Sequence, residues 1–311
     1  MRYGFQLPQV GGDVDGPSVA RFARRMEALD YHTLWAWHHV VIPREVRTPY
    51  PYSPTGEFFP GKMPNFLDNL GLLTFVAAVT EKVRLGTAIL NLAYPHPLML
   101  AKAVGTLDLL SGGRVTLGVA AGWLKEEFHA LGIPYEERVA RAEECLRILV
   151  EVWTKEDPNF EGRFHRAVGI KCAPRPVQRP HPPILVGGHT RRAFRWIAEN
   201  GAGWLAPHLP EEKLARLLQE LREMVAARGR DPAALEVWAS APLSITDSPV
   251  SGERKTFIGS PEQIAQDIAQ YRRMGATALR LAPTYGPGRL ETSAMLELAE
   301  RFARDVMPLV A

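Results

Sequence analysis

Apolar residues come along this chain in short clusters. Each cluster is followed by a longer stretch in which they recur every third or fourth position. The clusters predict strands at Tyr3–Leu7, Thr33–Trp37, Val83–Leu90, Val115–Ala121, Pro183–Val186, Gly203–Ala206, Glu236–Ile245 and Thr277–Leu281. They are apolar on both sides, as buried parallel strands are. The periodic stretches predict helices from about Pro17, over Leu67–Thr80, from Pro97, and over Glu137–Trp153, Arg191–Asn200 and Glu211–Arg228. Two more start behind Ser260 and run over Leu290–Val306. Proline stands in several first turns, where its missing N–H costs nothing, and Gly112, Gly113 and Gly201 follow helix ends. In Glu137–Trp153, residues Ala142, Cys145, Leu146, Leu149, Val150 and Trp153 share one face, which makes Cys145 a core residue.

Eight strands alternating with eight helices predict an α/β fold, a (β/α)8 TIM barrel. It is assigned as one domain over residues 1–311, with long insertions at the carboxyl-end face. The insertions are the irregular segments at about 40–66 and 155–181, and segments of that length are usually functional. Residues 247–258 read as a polar loop. An open doubly wound sheet is the alternative, but neither GxGxxG nor GxxxxGK[ST] occurs.

Composition changes this picture little. With 311 residues, 46% hydrophobic and 23% charged, the chain is ordinary for a globular protein. A net charge of +3 with interspersed signs gives no basic stripe, so nucleic acid is not expected as a partner. No apolar run reaches membrane-spanning length, and the start, MRYGFQLPQVGG, lacks a signal-peptide core. Cys145 and Cys172 have no CxxC spacing, which points to a reducing, cytoplasmic location.

In a barrel, chemistry sits at the carboxyl ends of the strands. Those ends carry His38 and His39, Asn91, Gly122 and Trp123, then Gly187, Gly188, His189 and Thr190, and also His208 and Pro283. Imidazole suits proton transfer near neutral pH, so His38 and His39 are the catalytic candidates; a surface residue beside a hydrogen-bonded spacer is the bland alternative. The Gly187–Thr190 turn leads into a helix N-terminus, a phosphate cradle or simply a tight capped turn, with Arg191 and Arg192 beside it. Gly122 lets a flat ligand approach; Trp123 alone would read as packing. A metal site is not expected, since no HxH pair occurs, and no GxSxG elbow marks a serine hydrolase.

Several stretches carry a family likeness. They are YGFQLP at the first strand, LWAWHHVVIP at the second and PYPYSPTGEFFPG after it. Longer ones run from VRLGTAILNLAYPHPLML through SGGRVTLGVAAGWLKEEFHALGIPYEER, and over RPVQRPHPPILVGGHTRRAFRW. Over nearly its whole length the chain resembles the luciferase-like monooxygenases, most closely their F420-dependent oxidoreductase branch. The resemblance implies an oxidoreductase transferring a hydride between F420 and a small organic substrate. An FMN-dependent monooxygenase using reduced FMN and O2 is the alternative, and a non-catalytic flavin-binding protein the second. It implies a non-proline cis peptide at Ala88–Ile89 following the third strand, His39 as the family histidine, and His38 where relatives commonly carry an acid. It further implies Trp123 at the ring edge, phosphate at Gly187, Gly188, His189 and Thr190, and a substrate-side loop around Tyr50 and Tyr52. A homodimer packed through helices near the second and third strands completes the expectation.

Overall fold

The computed structural model describes residues 1–51, 56, 65–201, 203–284 and 291–310. Tyr52 lies outside the described residues. The chain has the (β/α)8 barrel fold. Its strands are β1 (Arg2–Gln6), β2 (Thr33–Ala36), β3 (Arg84–Asn91), β4 (Val115–Ala120), β5 (Asn159–Glu161), β6 (Arg166–Val168), β7 (Ile184–Gly187), β8 (Gly203–Ala206), β9 (Val237–Ile245), β10 (Ile258–Gly259) and β11 (Ala278–Pro283). The large sheet runs β10-β9-β11-β1-β2-β3-β4-β7-β8, and β8 pairs again with β9, which closes it. The eight barrel strands fall within one or two residues of the predicted spans. Three elements differ from expectation. The segment at 155–181 is not wholly irregular, because β5 and β6 pair there as an antiparallel hairpin. The polar loop ends in β10, which pairs with β9. A short helix, Lys125–Ala130, follows β4 where none was predicted.

Two compact units build the chain. The first holds Met1–Trp35 and the chain from Leu185 onward. Its helices are α1 (Gly16–Ala28), then α6 (Arg191–Asn200), α7 (Glu211–Ala226), α8 (Pro261–Met274) and α9 (Thr292–Arg301); α2 to α5 belong to the other unit. Asp15 starts α1 through a reciprocal box with Ser18, each side chain accepting the other's backbone N–H. Ser260 and Gln263 do the same for α8, behind Pro261 as predicted. Alternation in the strands separates two faces. Phe5 points to the helix layer, where its ring meets Phe22 and Tyr31. Its neighbours Gly4 and Gln6 therefore face the barrel interior. Burying each such aromatic contributes about 2–3 kcal/mol.

The second unit holds Ala36 with the loop after it and the chain from Leu67 to Ile184. It contains β3, β4, the β5–β6 hairpin, α2 (Asn69–Val79), α3 (Pro97–Leu110), α4 (Lys125–Ala130) and α5 (Arg138–Thr154). The predicted face of α5 is buried except for Val150, and Cys145 is a buried free thiol within it. The buried Glu144 carboxylate on α5 accepts backbone N–H groups of Arg163, Phe164 and His165, which anchors the turn of the hairpin.

Candidate active site

Except for Ala88 and Ile89, each predicted site residue lies at the carboxyl end of a barrel strand or just beyond it. In the second unit, β2 ends at Ala36 and delivers His38 and His39. The two imidazoles have different partners. His38 Nδ1 accepts the backbone N–H of Asn91 at 3.0 Å, and its ring lies against Tyr94 at 5.6 Å. Burial pushes its pKa down to about 4, against the opposing charges of Glu127 and Asp68. It is therefore neutral at pH 7, with its proton on Nε2.

His39 Nδ1 lies 2.7 Å from Oε2 of Glu127, whose side chain is 0% exposed. Burial alone would raise the Glu127 pKa. Hydrogen bonds from His39, Val40 and Tyr94, together with the His39 charge, outweigh burial and hold it below the usual value. An ionised carboxylate only accepts, so His39 Nδ1 carries the proton of that bond. The same carboxylate accepts from Val40 N–H at 2.6 Å, Val41 N–H at 3.2 Å and Tyr94 O–H at 2.8 Å. Burial and the Glu127 charge drive the Tyr94 pKa up, so its hydroxyl stays a donor. Glu127 sits in the first turn of α4, where a negative charge is also favoured by the helix dipole.

Trp123 stands edge-on to His39 at 6.5 Å and packs against Tyr50 at 5.1 Å. Gly122 has φ +83°, and a Cβ there would lie 1.9 Å from Asn91 Nδ2, so only glycine permits this close approach. The Ala88–Ile89 peptide is cis. It lies inside β3, where the register with β4 shifts between Thr87 and Leu90, rather than after the strand. His38, His39, Asn91, Gly122 and Trp123 are thus joined in one cluster through Glu127 and Tyr94. The sequence had offered neither Glu127 nor Tyr94. The available signal was an acid in the first turn of a helix after a strand end, which alone reads as ordinary dipole pairing.

In the first unit, Gly187 ends β7 and leads into α6. Gly188 has φ +87°, with nothing within 4 Å of where a Cβ would stand, and its carbonyl accepts Trp204 Nε1–H at 2.6 Å. Thr190 caps α6 by accepting Ala193 N–H, and no acid stands in the first turn. Burial, with Lys213, lowers the His189 pKa. This is an open backbone face at a helix N-terminus, with arginines at 191 and 192: a donor set that fits a phosphate. Among the described residues no group of three or more His, Cys, Asp or Glu is placed to hold a metal ion.

Comparison with known proteins places these clusters in context. A family model described as luciferase-like monooxygenase matches residues 4–251. An uncharacterized Mycobacterium tuberculosis (strain H37Rv) protein is 32% identical over 263 residues, covering 82% of this chain and 92% of that one. The FMNH2-dependent dimethylsulfone monooxygenase of Pseudomonas putida is 36% identical over 156 residues, 49% of this chain and 42% of that protein. Among solved structures, the monooxygenase RslO1 from Streptomyces bottropensis aligns with TM-score 0.81 and 26% identity over 100% of both chains. An F420-dependent secondary alcohol dehydrogenase aligns at TM-score 0.77 with 15% identity, over 100% of this chain and 99% of that one, a likeness of fold.

Proposed function

This chain belongs to the luciferase-like monooxygenase family, and on that premise we propose that it transfers a hydride between F420 and a small organic substrate. The observation that carries the reading is the His39–Glu127 pair, a proton carrier held by a fully buried carboxylate at a strand end. The residues fit the cofactor. In the second unit, Ala88, Ile89, Asn91, Gly122 and Trp123 would meet its ring. In the first, the turn Gly187, Gly188, His189 and Thr190 is by itself a site for a phosphate.

Bound F420 supplies a two-electron carbon centre that takes or gives a hydride. The protein moves the accompanying proton. Glu127 fixes the Nδ1 proton of His39, which makes Nε2 the nitrogen that exchanges a proton with the substrate oxygen. As an alcohol C–H bond breaks, Nε2 takes the hydroxyl proton; in the reverse direction it returns it. The imidazolium formed lies against the Glu127 charge. His38 acts as a neutral strut that holds the end of β3 through Asn91. Trp123 and Tyr50 supply an aromatic wall.

The reading includes a cytoplasmic homodimer. Helices α2 and α3 carry apolar residues outward, with Phe75 40%, Met99 73% and Leu110 65% exposed. Large apolar side chains exposed together on such helices call for a cover.

The test is reduction of F420 by a panel of small secondary alcohols, followed near about 420 nm. His39→Gln should slow turnover about a hundredfold or more and leave cofactor binding intact. Unchanged turnover would remove His39 from the chemistry. A second reading, an FMN-dependent monooxygenase, is favoured by the 36% identity to the dimethylsulfone enzyme. Oxygen consumption dependent on reduced FMN, with no F420 turnover, would select it.

A further inference from the structure

The first unit carries a polar layer inside the barrel that neither the histidine cluster nor the phosphate turn uses. Gly4 of β1, Ser240 of β9 and Arg280 of β11 stand in register across three neighbouring strands. Phe5 faces the helices, so this row and Gln6 face inward. Beneath the row lies a plug of indoles. Trp35 and Trp238 meet edge to face at 4.9 Å, and a Cβ on Gly4 would stand 2.3 Å from Trp35 Nε1 and 3.0 Å from the Trp238 ring. Gln6, two residues further along β1, stands towards the carboxyl end within hydrogen-bond reach of Arg280.

Their hydrogen bonds orient three donors. Arg280 Nη1 donates to Gln6 Oε1 at 3.2 Å. Its Nε and Nη2 donate to Ser240 Oγ at 3.3 and 3.1 Å. Both lone pairs of the Ser240 hydroxyl are thereby occupied, and its proton remains to be given. Gln6 is 1% exposed, and its amide Nε2 has no partner among the described residues. A buried donor left without an acceptor costs about 1–3 kcal/mol, a cost that a ligand supplying the acceptor would relieve. His208, beyond β8, bonds the Ser240 main chain. The layer thus offers an amide donor, a hydroxyl donor and a guanidinium. The complement of that set is a group that only accepts and is negatively charged.

We propose that Gln6, Ser240 and Arg280 recognise an oxyanion, a carboxylate or sulfonate, on the organic substrate. It rests on the reading above only in taking the strand ends as the substrate side. Gln6 supplies the donor left without a partner, Ser240 its hydroxyl proton, and Arg280, bonded to both, supplies charge.

The experiment needs no cofactor and no known substrate. Acetate and methanesulfonate are titrated separately into the purified protein, with acetamide as a neutral isostere of acetate. Indole fluorescence is followed, since Trp35 and Trp238 lie under the site. Saturable quenching by both anions is expected, about tenfold weaker or more in Arg280→Met and in Gln6→Leu, with acetamide silent. Ser240→Ala removes one hydroxyl with little steric change and serves if Arg280→Met does not fold; it should weaken the anions severalfold. Equal titrations of the variants and the wild-type protein, an equal response to acetamide, or no saturable response would overturn the proposal. So would weaker binding of F420 or FMN in Arg280→Met with anion binding unchanged, which would assign the donors to a cofactor carbonyl. Loss of cofactor binding by the unmutated protein would strike the hydride-transfer reading and leave this one standing.

Discussion

Replacing Glu127 by Gln keeps the shape of the side chain and removes its charge and one acceptor oxygen. The carboxylate receives four hydrogen bonds and is fully buried. In the variant, an NH2 group must face either His39 and Tyr94 or the Val40 and Val41 amides. A hydrogen bond to a charged group is worth about 1.5–3 kcal/mol, and a buried donor left without an acceptor costs about 1–3 kcal/mol. Glu127→Gln should therefore lower unfolding free energy by about 3 kcal/mol. The part that belongs to His39 is isolated by a double-mutant cycle with His39→Asn. Urea unfolding of the four proteins at pH 7 should give a coupling of about 2 kcal/mol. Nitrogen NMR of His39 should show Nδ1 protonated in the wild-type protein and a changed tautomer balance in Glu127→Gln. A coupling within about 0.5 kcal/mol of zero, with the His39 nitrogens unmoved, would refute the claim that Glu127 sets the tautomer.

Other consequences are equally specific. His38 is neutral in the folded protein down to about pH 4 and titrates near 6.5 when unfolded. Its contribution is fully present above pH 6.5 and is lost as pH falls towards 4, by at most about 3 kcal/mol; His38→Asn should flatten that slope in unfolding measured from pH 7 to 4. Gly188→Ala meets no neighbouring atom but demands a left-handed alanine, costing about 1 kcal/mol. It should weaken cofactor binding about tenfold, whereas unchanged cofactor affinity would remove the turn from the site. Met99→Lys should abolish the proposed self-association in sedimentation velocity; a wild-type protein that sediments as a monomer would refute the homodimer.

The fold was legible because the barrel strands are apolar on both sides and the helices keep a period near 3.6. Proline and glycine then mark the helix ends, as Pro261 and Gly201 do. The hairpin was hidden because its anchor, Glu144, lies nineteen to twenty-one positions from the amides it holds. No local pattern records such a bond. Helix α4 is only six residues long, too short for periodicity to show. The two adjacent histidines were visible as chemistry, but not their division of labour. That depends on Glu127, eighty-eight residues from His39, and on a main-chain amide fifty-three residues from His38. Gln6 reads as a polar interruption of a strand until register sets it beside Arg280.

The central claim, a barrel that binds a deazaflavin for hydride transfer, meets its most direct test in titration of the purified protein. F420 and FMN, each oxidised and reduced, are added separately and followed by fluorescence. Selective micromolar binding of F420, weakened by Gly188→Ala, is the expected result. Tighter binding of reduced FMN would move the protein to the oxygen-dependent reading, and binding of neither would contradict the account.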